Sequence, residues 1–91
     1  MTKSELIHEV WKEVDLPRVQ TERLIDIVFG VIRRELERGD EVQIIGFGKF
    51  HVRDRKERDV LNPRTGEKIT ISAHKCPYFT PGKSLKRAVN R

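Results

Sequence analysis

Leu6, Ile7, Val10, Trp11 and Val14 recur at the spacing of one helix face, and Thr2 and Glu5 have the Thr-x-x-Glu spacing of a capping box. The pattern predicts an amphipathic helix over about 3–14, stopped by Asp15-Leu16-Pro17. A second helix is expected from about 18 to 38, with Gly39 at its C′ position. Its apolar residues are Leu24, Ile25, Ile27, Val28, Phe29, Val31, Ile32 and Leu36. They cover more than one face, which is too wide for a helix packed on a single neighbour. A second apolar contact, between subunits, is expected.

From Glu41 the period changes to that of strands. Val42, Ile44 and Ile45 lead into Gly46-Phe47-Gly48, a tight reversal, and Phe50 and Val52 continue beyond it. Further on, Ile69, Ile71 and Ala73 alternate with Thr70, Ser72 and His74, a period-two strand. Between these runs lies Asn62-Pro63-Arg64-Thr65-Gly66, a strong turn signal. Cys76, Tyr78 and Phe79 return the chain, and Pro81-Gly82 opens a last helix from Lys83 to about Asn90, with Leu85, Ala88 and Val89 as its buried side. The order is ααβββα, an α+β class, without internal repeats. The segment from Arg53 to Lys75 has only Val60, Leu61, Ile69, Ile71 and Ala73 to fold around. It reads as a protruding two-stranded arm with a proline near its tip.

Ninety-one residues suit one domain, 1–91: a helical dimerisation base over 1–40, sheet and arm over about 41–80, and a last helix over 83–90. Without the arm, 68 residues remain to build a core, and a domain of that size buries only ~60% of its unfolded surface. A single cysteine, Cys76, excludes an intrachain disulfide framework and suits a reducing cytosol. Oligomerisation is therefore the expected support. The polar N-terminus resembles neither a signal nor a transit peptide, and no apolar run approaches the ~18 residues that span a bilayer. A soluble, intracellular protein without a membrane partner is expected.

Charge sharpens the picture. Residues 1–40 carry seven basic and nine acidic side chains, whereas residues 41–91 carry twelve and five. The arm alone has seven basic and four acidic residues. Such asymmetry attracts polyanions, and a basic ribbon with an apolar point is shaped to grip a nucleic-acid groove. Gly82-Lys83-Ser84 looks like the end of a P-loop, but Pro77 stands where that motif needs its first glycine. His74 and Cys76 would make half a metal site, and no spacing completes it. Phe29, Phe47, Phe50 and Phe79, interleaved with Ile and Val, are expected to be core and dimer-interface aromatics. No catalytic constellation is discernible, so no enzyme, cofactor, metal or small-molecule substrate is expected.

Three motifs in order, Ile45-Gly46-Phe47-Gly48-Lys49-Phe50, Asn62-Pro63-Arg64-Thr65-Gly66-Glu67 and Phe79-Thr80-Pro81-Gly82-Lys83-Ser84-Leu85-Lys86, resemble the HU/IHF family of bacterial nucleoid DNA-bending proteins. The resemblance covers essentially the whole chain. It implies an intertwined dimer with two N-terminal helices, a three-stranded antiparallel sheet extended into a β-ribbon arm, and a short C-terminal helix. The implied partner is double-stranded DNA in the cytoplasmic nucleoid, bent with little sequence preference by a homodimer, or by a heterodimer if the chain is a site-specific IHF-like subunit. The lack of a tail beyond Arg91 leans toward HU. An RNA-binding or protein-interaction module is the alternative of a different class.

Within that resemblance Pro63 is the expected wedge between base pairs. Arg53, Arg55 and Arg58, with Asn62, Arg64 and Lys75, are expected along the DNA. Lys83 and Lys86 at the last helix would meet phosphates, and Lys3 would add a contact from the base or remain solvated. Period two puts Arg53 and Arg55 on one face and Lys56 and Arg58 on the other, so presenting Arg55 and Arg58 together requires a local twist or bulge. Where the family commonly has Gly-Arg before Asn-Pro, this chain has Val60-Leu61. The substitution makes the tip more apolar and removes one expected arginine contact.

Overall fold

A computed structural model describes all residues, Met1–Arg91, and two compact units, Met1–Arg34 and Glu35–Arg91. The first unit holds α1 (Lys3–Glu13) and most of α2 (Arg18–Glu37). Thr2 caps α1 by accepting from the Glu5 amide at 3.2 Å, and its hydroxyl donates to the Glu5 carboxylate. The reciprocal bond of a full capping box would run instead to the Thr2 backbone N–H. In the α1–α2 corner Thr21 is buried, and its hydroxyl donates to the Pro17 carbonyl. Past α2, Gly39 adopts φ 82° and donates to the Leu36 carbonyl, while Asp40 donates to that of Glu35. These two bonds form a Schellman motif, which ends the helix at the expected glycine.

The second unit contains β1 (Val42–Ile44), β2 (Gly48–Arg55), β3 (Arg58–Leu61), β4 (Lys68–Ile71), β5 (His74–Pro81) and α3 (Lys83–Val89). β2 is the central strand of a three-stranded antiparallel sheet, flanked by β1 and β5. β3 and β4 form a separate antiparallel ribbon. The reversal between β1 and β2 is the loop Ile45–Phe47, closed by Phe47 donating to Ile44, so Gly48 already belongs to β2.

Two expectations are corrected. The strand thought to run unbroken through Ala73 is interrupted: Lys56 and Glu57 on one side, and Ser72 and Ala73 on the other, lie outside the ladders. The last helix buries none of its residues, and Val89 is 75% exposed rather than packed.

The only buried apolar side chains are Ile7 and Ile25. Leu24, Ile27, Val28 and Phe29 of α2 are each at least half exposed, and Ile45 is almost fully so. That distribution matches the over-wide apolar stripe read along α2, which leaves a contiguous apolar surface exposed.

Candidate nucleic-acid interface

Alternation along β2 and β5 sorts the ribbon into two faces. On one, His51 stands opposite Tyr78, Arg53 opposite Cys76, and Arg55 opposite His74. On the other, Phe50 faces Phe79, Val52 faces Pro77, and Asp54 faces Lys75. The structure thus brings Arg53 and Arg55 together and puts Lys75 on the reverse face beside an acidic residue. Packing explains the apolar end of that reverse face. The rings of Phe47 and Phe50 lie 5.3 and 4.9 Å from that of Phe79, yet Phe47 and Phe79 keep 45% and 38% of their surface exposed.

The polar face has a centre that composition alone did not single out. The Arg53 and Arg55 guanidiniums both lie over the Tyr78 ring, and the Arg55 Nε–H donates to the Tyr78 hydroxyl at 2.7 Å. This bond pushes the Arg55 pKa up, favouring the charged form. His51 stacks on the same ring and pairs with the Thr80 hydroxyl at 2.8 Å. The available signal was the alternation itself, which puts Cys76, Tyr78 and Thr80 on one face of β5.

Beyond Arg55 the ladder stops and resumes at Arg58, which pairs with Ile71. Each side of the gap contributes two residues, so no residue is inserted and no bulge forms. A gap in the hydrogen bonding, rather than a bulge, separates Arg55 from Arg58.

The distal ribbon again has two faces. Val60 faces Ile69, and Arg58 faces Ile71. On the opposite side Asp59 accepts from the Thr70 hydroxyl at 2.8 Å and pairs with Lys68 at 3.2 Å. Leu61 shares this second side and is 70% exposed.

A four-residue loop, Pro63–Gly66, forms the tip. It is closed by Asn62 donating to Glu67 at 2.8 Å and Gly66 donating to Asn62 at 2.7 Å. The Asn62 side chain accepts from the Arg64 amide at 2.9 Å, so Asn62 braces the turn from within, while Pro63 and Arg64 are exposed. No hydrogen bond is forfeited by a proline at the first loop position.

Elsewhere, Lys83 and Lys86 are exposed on α3, whose N-cap is Gly82 without a side-chain cap. Lys3 pairs with Asp26 at 2.5 Å, and that hydrogen bond and charge raise its pKa. It is therefore already engaged within the helical unit. His74 Nδ1 is within 2.8 Å of the Ser72 carbonyl, and no cluster of three or more His, Cys, Asp or Glu side chains is arranged to hold a metal ion. No helix is long and apolar enough to cross a membrane.

Comparison with known proteins places this geometry. Residues 1–90 match the family model described as bacterial DNA-binding protein. The chain is 47% identical over 89 residues to DNA-binding protein HU-1 of Halalkalibacterium halodurans, covering 98% of this chain and 99% of that protein. It is 42% identical over 90 residues to an integration host factor subunit alpha of Anaeromyxobacter, covering 99% of this chain and 80% of that one. Among solved structures, an Anabaena HU–DNA cocrystal superposes with a TM-score of 0.90 at 34% identity, over 98% of this chain and 97% of that one. Motifs, ribbon and whole-length similarity agree: the chain belongs to the HU/IHF family of bacterial DNA-binding proteins.

Proposed function

We propose that this protein is an HU-type architectural protein that binds duplex DNA through its β-ribbon arm and bends it, a non-enzymatic role in the cytoplasmic nucleoid. One observation carries the reading: an arginine face on a ribbon that ends in an exposed proline loop, in a fold that superposes on HU bound to DNA. Arginine pairs its planar fork with phosphate oxygens, and Arg53, Arg55, Arg58 and Arg64 are assigned to that task. Pro63 is assigned as the wedge. Wedging costs a few kcal/mol per unstacked step, a magnitude known for minor-groove architectural proteins, HU and IHF among them, rather than inferred from this chain. Lys75, Lys83 and Lys86 add to the surrounding positive field. The working unit is a dimer, because the exposed apolar residues of α2 and the half-exposed Phe47 and Phe79 need a second chain to cover them.

Titration with linear duplex DNA, nicked duplex DNA and duplex RNA at matched salt tests the reading. Tighter binding to nicked DNA is expected, since its deformation is cheaper. Preference for the RNA duplex would overturn the proposal.

Leu61 makes a further difference measurable. It lies beside the tip where the family resemblance leads one to expect arginine, and its side chain is open to solvent. Leu61→Arg is expected to steepen the dependence of log affinity on log salt by about 0.9, one added phosphate contact. An unchanged slope would place residue 61 away from the DNA.

A further inference from the structure

Tyr78 stands opposite His51 at the middle of the polar face. The guanidinium carbons of Arg53 and Arg55 lie 5.1 and 5.2 Å from its ring centroid. Arg55 adds the Nε–H bond to the hydroxyl at 2.7 Å, and a second N–H of the same guanidinium is aimed at that oxygen. Two long cationic side chains on one strand face repel each other and, unrestrained, sample many rotamers. An aromatic ring offers both a negative face. The hydroxyl engages two of the five donors on Arg55 and leaves the others for a phosphate.

We propose that Tyr78 is a positioning residue of the DNA site: its ring and hydroxyl hold Arg53 and Arg55 along the polar face before DNA arrives. This rests on the DNA-binding reading above. Order fixed in advance removes part of the entropy lost when a flexible arginine is immobilised on binding. The charge that meets DNA is unchanged by the device. What changes is how much freedom the charges lose on contact.

The experiment measures duplex affinity across a salt series for wild type, Tyr78→Phe and Tyr78→Leu, and repeats Tyr78→Leu in an Arg53→Gln, Arg55→Gln background. Tyr78→Leu is expected to weaken binding about tenfold, since two rotamer-rich side chains lose their restraint. Its log–log salt slope should stay as in wild type, because the number of cations is the same. Tyr78→Phe keeps the ring and should lose less. In the double-glutamine background the further loss should nearly vanish. Undiminished affinity, or full additivity with the arginine substitutions, overturns the proposal, whereas a purely structural role would lower only thermal stability. Side-chain NMR of the Arg55 Nε–H in the free protein is a readout independent of DNA: its order should fall in Tyr78→Leu, and unchanged order overturns the proposal. Wild type failing to bind duplex DNA would sink the DNA reading, and the NMR result would still decide whether Tyr78 orders the arginines.

Discussion

Pro63→Ala is expected to leave the protein bound to DNA and to flatten the bend. The loop needs little from the proline itself. Its closing bonds run from Asn62 to Glu67 and from Gly66 to Asn62, and Arg64 is held by the Asn62 side chain. Alanine therefore keeps the turn and removes the rigid apolar ring. Unstacking a base step costs a few kcal/mol, and without a wedge to occupy the gap the bend should fall by roughly half or more. Affinity for straight duplex should change by less than about tenfold, because the phosphate contacts that dominate binding remain. Fluorescence energy transfer between the ends of a short duplex measures the angle directly. An undiminished bend would assign bending to the cationic face alone.

The second large effect concerns stability. A β-carbon added at Gly48 would sit 2.6 Å from the Phe79 ring and 2.6 Å from the Thr80 carbonyl oxygen. The ring can turn aside, but the carbonyl belongs to β5, which is paired to β2 over its whole length. Gly48→Ala must therefore push β2 and β5 apart or unseat the Phe47–Phe79–Phe50 cluster. Overpacking of this kind costs about 2–3 kcal/mol, which for a small domain lowers the melting temperature by roughly 10–20 °C. Thermal unfolding at one fixed protein concentration checks it, since a dimer's transition depends on concentration. A shift of only a degree or two would mean that the strands yield more readily than their pairing implies.

How far each of these features was legible in the sequence depended on the range of the interaction behind it. Thr2, Gly39 and the helical apolar periods act within a turn or two, and the two long helices follow them to within a residue. The strand faces follow from alternation once β2 is paired with β5. Register was needed before Tyr78 could be seen to gather His51, Arg53 and Arg55, because the residues of that cluster are far apart in sequence. The gap at Lys56-Glu57 had no local sign, for neither it nor Ser72-Ala73 contains glycine or proline. The packing expected for Leu85, Ala88 and Val89 was a reading of amphipathicity, and amphipathicity names a face without naming what covers it.

The gap has one more consequence. Arg55 opposite His74 and Arg58 opposite Ile71 belong to a single register, because two residues are skipped on each strand. An antiparallel arm can therefore gain or lose matched pairs at this point in even steps, about 7 Å each at ~3.3 Å per residue. Odd steps would turn every distal side chain to the opposite face. Reach along the duplex and the facing of the tip are thus separable properties, and a lineage could retune the first, by about two base-pair rises at a time, without disturbing the second.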